Sequence, residues 1–113
     1  MSRKVIRGDI SLHKIPFQFQ SQYVWTIQLF TVLPNGIRKQ LGMISEPTSI
    51  REPWNFAFNF DDDHTPDGVG HYGIRVEVLD GTVVVADADQ SFAIAWHNDA
   101  PSFQQLVLEP QAI

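Results

Sequence analysis

The chain reads as all-β: a single-domain antiparallel β-sandwich of about seven to eight short strands, spanning residues 1–113. Three observations predict it. Apolar residues recur with a period of two along most of the sequence, the pattern of strands buried on one face. Turn-forming residues separate the alternating runs, among them Pro34-Asn35-Gly36 and Asp80-Gly81. No segment carries a helical period of useful length, and short strands at this spacing argue a sandwich or barrel.

Each strand follows from its own stretch. In Lys4 to Leu12, Ile6, Ile10 and Leu12 alternate with Arg7, Asp9 and Ser11, which is a half-buried strand. Tyr23, Trp25, Ile27 and Leu29 alternate with Val24, Thr26, Gln28 and Phe30, so the second strand is apolar on one face and partly apolar on the other. Pro34-Asn35-Gly36 turns the chain, because Pro fixes φ and Asn-Gly accepts positive φ. Ile37, Leu41 and Met43 continue on the next strand. After the polar, proline-bearing connection from Glu46 to Pro53, Trp54, Phe56, Phe58 and Phe60 alternate with Asn55, Ala57 and Asn59. Aromatics on one strand face make a core wall. Tyr72, Ile74, Val76 and Val78 alternate with Gly73, Arg75 and Glu77. Asp80-Gly81 then marks a tight hairpin, with Thr82 to Ala88 as the return strand. Ser91 to Trp96 reads as a further strand, and Leu106 and Leu108 close the chain in a last short one before Pro110.

Composition narrows the function classes. Hydrophobic residues make up 43% and charged residues 19% of the chain, a globular balance. A domain of this length buries about two thirds of the surface its unfolded chain exposes, so it folds without staples. It contains no cysteine, which removes disulfides, thiolate zinc sites and a cysteine nucleophile. A net charge of −5, with basic residues clustered only at Arg3, Lys4, Arg7 and at Arg38, Lys39, makes a poor nucleic-acid binder. No apolar run is long enough for a membrane-spanning helix. Met-Ser-Arg-Lys leads directly into strand-like sequence without a visible signal peptide. That fits a cytosolic chain or one whose leader lies outside this sequence.

The stretch Phe58-Asn59-Phe60-Asp61-Asp62-Asp63-His64-Thr65-Pro66-Asp67 is the most suggestive of chemistry. An EF-hand loop needs spaced oxygen ligands, a glycine at the turn and a closing glutamate. Asp61 and Asp63 fit, but Thr65 and Pro66 follow and no glutamate closes the loop. A zinc site would need His64, His71 and a carboxylate to converge, and nothing in the sequence enforces that. Asp, Asn, Gly and Pro are ordinary turn residues, so the stretch reads as an acidic strand connection, with no metal site. Asp87 and Asp89 would share one strand face, but paired carboxylates act as acid and base only in a cleft that separates their pKa values. They read as flanking a strand end at Ala88-Asp89-Gln90. His97, beside Asn98 and Asp99, reads as a loop histidine. No nucleophile elbow, phosphate loop or H-E-x-x-H occurs. The sequence therefore predicts neither an enzyme nor a cofactor.

More apolar residues are present than one core face needs. Phe17 and Phe19 lie on one side of an extended segment, and Val24, Phe30 and Val32 lie on the face opposite Trp25. Exposed apolar patches on small proteins mark partner sites.

The order of these features resembles the type III secretion lipoprotein-chaperone family, the small β-sandwich pilotins related to a broader group of periplasmic lipoproteins. Val5-Ile6-Arg7-Gly8-Asp9-Ile10-Ser11 resembles the opening strand and Trp25-Thr26-Ile27-Gln28-Leu29 the second. Trp54-Asn55-Phe56-Ala57-Phe58-Asn59-Phe60-Asp61 resembles the family's P-x-x-F-x-L-x-F-D strand. His71 to Val78 with Asp80-Gly81 resembles its Y-x-V-x-V-x-I-x-D-G hairpin, and Leu106-Val107-Leu108-Glu109-Pro110 its closing strand. The resemblance implies a secretin pilotin. Such a protein binds the C-terminal tail of an outer-membrane secretin subunit and promotes its targeting and assembly in a type III secretion system. It needs no reaction and no cofactor. The expected place is the periplasm at the inner face of the outer membrane, the expected state a monomer. Family members are anchored by a lipidated N-terminal cysteine that this chain lacks, so an anchor would lie outside it. Phe17, Phe19, Phe30 and Val32 are the expected partner-binding residues. Two rivals stay open. One is a periplasmic lipoprotein domain that binds envelope polysaccharide through exposed Trp54 or Trp96. The other is a small metal-dependent enzyme using Asp61, Asp63 and His64.

Overall fold

The period-two sequence folds into two facing sheets in a computed structural model, which describes residues 3–16, 22–47, 54–61, 69–96 and 101–111. A three-stranded sheet holds β1 (Arg3–Ser11) between β4 (Trp54–Asp61) and β7 (Ser102–Val107). A five-stranded sheet runs in the order β3 (Arg38–Pro47), β2 (Val24–Val32), β5 (Val69–Asp80), β6 (Val83–Ala95) and β8 (Glu109–Pro110).

The alternation decides which side chains meet between the sheets. Trp54, Phe56, Phe58 and Phe60 of β4 all point inward, as do Trp25, Ile27 and Leu29 of β2 and Tyr72, Ile74, Val76 and Val78 of β5. Ring contacts tie the sheets together. Trp25 stacks on Trp54 with centroids 5.3 Å apart, and Phe60 meets Tyr72 edge-on at 5.7 Å. Such contacts add about 0.5–1.5 kcal/mol each beyond burial. The inward row of β1 is Lys4, Ile6, Gly8 and Ile10. Lys4 is therefore taken out of the basic cluster the sequence suggests. It is buried, with its ammonium 5.0 Å over the Trp96 ring, a cation–π contact that offsets part of its desolvation.

The expected hairpin forms at Gly81, whose φ of +63° an L side chain rarely adopts. Beyond it the structure corrects the sequence reading. The return strand and the Ser91–Trp96 strand are one continuous β6, paired with β5 from Asp80↔Val83 to Val69↔Ala95. No turn occurs at Ala88-Asp89-Gln90, because Asp87 and Asp89 find arginine partners on the sheet face instead of ending the strand.

Two further departures concern pairing. β7 runs parallel to β1, from Ile6↔Ser102 to Ser11↔Val107, whereas every other pair among the described residues is antiparallel. The chain then changes sheets. The Leu108 N–H donates to the Ser11 carbonyl at 3.0 Å, and Glu109–Pro110 pair with β6. In β3, Ile37 and Met43 do not reach the core; Ile37 precedes the strand and both are exposed, while a register shift at Leu29/Phe30 displaces Leu41.

Candidate docking surface

The apolar residues that the sequence leaves without a core place sort onto the outer face of the five-stranded sheet. Because Trp25, Ile27 and Leu29 point inward, Val24, Thr26, Gln28, Phe30 and Val32 point outward. Across the ladder, Phe30 stands between Gln40 of β3 and Gly73 of β5, and Val32 stands opposite Arg38. Both are half-buried. Phe17 and Phe19 lie outside the described residues.

Phe30 is not bare. The Arg38 guanidinium lies 5.6 Å over its ring. The same guanidinium reaches across the sheet to donate two hydrogen bonds to the Asp89 carboxylate, at 3.3 and 3.1 Å, and one to the Ser91 hydroxyl at 3.1 Å. Gly73 makes that crossing possible, since a Cβ there would sit 3.0 Å from Arg38 Cζ. Arg38 is thus a lid over Phe30, latched on β6 by a two-pronged ion pair.

Beyond Phe30, on the Gln28 side, the face becomes a charged ladder. Arg75 donates to Glu77 at 3.3 Å and to Asp89 at 3.4 Å, and lies 3.9 Å from Asp87. The hydrogen bond to Glu77 first, then the charges of Glu77 and Asp87 and the bond to Asp89, hold the Arg75 guanidinium above its ordinary pKa against partial burial. These side chains are all partly exposed, from 28% at Glu77 to 39% at Arg75, so the ladder shapes the surface more than it stabilises the fold.

Beyond Phe30 in the other direction the face turns apolar. Leu33 and Ile37 are exposed in the β2–β3 turn, where the Leu33 N–H donates to the Ile37 carbonyl at 2.9 Å. The register places Val69, also exposed, opposite Ala95 at the same end of the face. Val32, Leu33, Ile37 and Val69 therefore lie toward one end of the large sheet, beyond Phe30. Sequence reading picks out Phe30 and Val32 by strand parity. It misses Leu33 and Ile37, which look like strand residues, and Arg38, whose reach across the sheet has no local signal.

The other candidates come apart. Asp61 ends β4 in the small sheet while His71 lies on the outer face of the large one. Asp62, Asp63, His64, Asp67 and His97 lie outside the described residues. Among the described residues no group of three acidic or histidine side chains gathers to hold a metal ion. Trp54 is buried against Trp25. Trp96 is half-buried, carries Lys4 on its ring and donates its Nε1–H to the Tyr72 hydroxyl at 2.9 Å. Neither tryptophan presents the open ring that sugar stacking needs.

No protein-family model matches the chain, and no curated protein matches it by sequence. Among solved structures it is similar to an alternative pilotin from the type II secretion system of Vibrio cholerae. The two share a TM-score of 0.74 at 12% identity, over 97% of this chain and 98% of that one. At that identity the likeness establishes a shared fold.

Proposed function

We propose that this protein is a secretin pilotin. It binds a C-terminal segment of an outer-membrane secretin subunit at the Phe30 end of the large sheet, and promotes that subunit's targeting and assembly. The observation that carries the reading is the near end-to-end likeness of its fold to a pilotin at a TM-score of 0.74. The sequence resemblance points to the same role independently. It names a type III system, whereas the solved structure belongs to a type II system, so secretins of both kinds are candidates. The role is non-enzymatic and needs no cofactor. It places the protein in the periplasm at the inner face of the outer membrane.

The docking residues are Phe30 and Val32, with Leu33 and Ile37 extending the surface and Phe17 and Phe19 contributing from the preceding segment. An amphipathic tail would bury its apolar face there. Arg38 would swing off Phe30 or pair with an acidic residue of the tail. Calorimetric titration with the last ~20–30 residues of a type II and a type III secretin, a length that forms one helix, tests this. The expected result is saturable one-to-one binding with negative ΔCp for one of them, lost in Phe30→Asp and in Val32→Asp. Both variants should keep the far-ultraviolet spectrum of the parent, because neither residue belongs to the inward rows. No heat with either tail would remove the reading.

A further inference from the structure

Sheet edges carry unpaired N–H and C=O groups, and proteins blunt them with proline, lysine, bulges or short length. β3 is blunted: its register shifts opposite Leu29/Phe30, Arg38 and Lys39 stand at one end and Pro47 at the other. β8 has two residues and ends in Pro110. β7 approaches β6 of the other sheet. β4 likewise comes near β3 of the other sheet, but the strand itself carries no blunting feature. Its eight residues pair with β1 in unbroken register from Asp61 to Trp54, with no proline or basic residue and one charge, Asp61. Among the described residues nothing pairs with its other edge.

We propose that this edge pairs with the same edge of a second copy of this chain, antiparallel about a two-fold axis through Phe58. The strand is its own complement in that register. Asn55 stands opposite Asp61 of the second copy, Ala57 opposite Asn59 and Phe56 opposite Phe60. Asn55, Ala57, Asn59 and Asp61 are all exposed on the outer face, so the Asn55 amide donates to the opposing Asp61 carboxylate, twice per dimer. No like charges meet. On the inner face the phenylalanine row continues across the axis, a favourable cross-strand arrangement. Sliding the pair by two residues sets Asp61 against Ala57 or beyond the strand and loses both contacts. The two three-stranded sheets become one six-stranded sheet, with the Phe30 faces left open on the other layer.

One strand pair buries less than a standard interface, so the association is weak, and the monomer expected from sequence is the species at low concentration. This inference goes beyond the pilotin reading and does not depend on it. Sedimentation velocity of the full chain from micromolar to millimolar concentration tests it, with circular dichroism on each variant to check folding. Asn55→Asp sets carboxylates opposite each other twice and should weaken dimerisation about tenfold. Asn55→Lys should tighten it several-fold through Asp61, and Asn55→Lys with Asp61→Asn should lose that gain. A wild-type chain monomeric at millimolar concentration overturns the proposal, and so does a dimer that Asn55→Asp and Asn55→Lys leave unmoved or shift in the same direction.

Discussion

Adding one methyl group at Gly8 should unseat β7. Gly8 lies on the inward row of β1, opposite Gln104 of the parallel strand. A Cβ there would meet the Gln104 carbonyl oxygen and the Phe56 ring, the latter at 2.6 and 2.9 Å. The ring can rotate aside, but the carbonyl belongs to the β7 backbone. A carbon–oxygen contact relaxes at roughly 3.3 Å, so the strands must part by on the order of 1 Å, enough to break ladder hydrogen bonds of ordinary length. Overpacking alone costs about 1–3 kcal/mol, and weakened ladder bonds add to it. A total near 3 kcal/mol lowers Tm by about 12 °C in a domain of this size, at about 4 °C per kcal/mol. Thermal unfolding by circular dichroism measures this, with Gly42→Ala as comparison. At Gly42 the new Cβ meets only the Phe58 ring, at 2.9 and 3.2 Å, and the loss should be smaller. Adding Phe56→Leu to Gly8→Ala should not restore the loss, because the backbone clash remains. A Gly8→Ala protein within about 2 °C of the parent would mean that β7 does not run beside Gly8.

Further predictions concern the polar contacts. Tyr72→Phe removes the acceptor of the Trp96 Nε1–H; it should cost about 1–2 kcal/mol and alter the Trp96 fluorescence. Arg75→Gln should cost at most about 1 kcal/mol at low salt and less in 1 M salt, because its partners are partly exposed and screened. The Arg75 pKa is raised, so its contribution is complete below the unfolded value and lost only as pH rises through the still higher folded value. The Arg75→Gln penalty should therefore be equal at pH 7 and pH 9. Arg38→Ala uncovers Phe30 and leaves Asp89 paired with Arg75, and should change secretin-tail affinity while leaving Tm within a few degrees.

Much of the fold is legible in the sequence where a single strand carries its own signal. Trp54 to Phe60, Trp25 to Leu29 and Tyr72 to Val78 each show which side faces inward, and Gly36 and Gly81 mark turns with positive φ. What escapes is non-local. Asp87 and Asp89 look like a strand break until Arg75 and Arg38, the latter on the far edge strand, are seen to balance them. The parallel pairing of β7 with β1 depends on how far the chain travels before returning, which period-two alternation does not encode. The docking surface is half legible for the same reason. Parity places Phe30 and Val32 outward, but the Arg38 lid crosses two intervening strands and needs the missing side chain of Gly73 to do so.

The most direct measurement of the central claim is amide chemical-shift mapping of the isotope-labelled protein against the type II and type III secretin tails. The account predicts shifts concentrated at Phe30, Val32, Leu33, Ile37, Arg38 and Gly73, with the β4 edge and the inward rows unchanged. Shifts centred on β4 or β7, or no shifts with either tail at millimolar peptide, would contradict it.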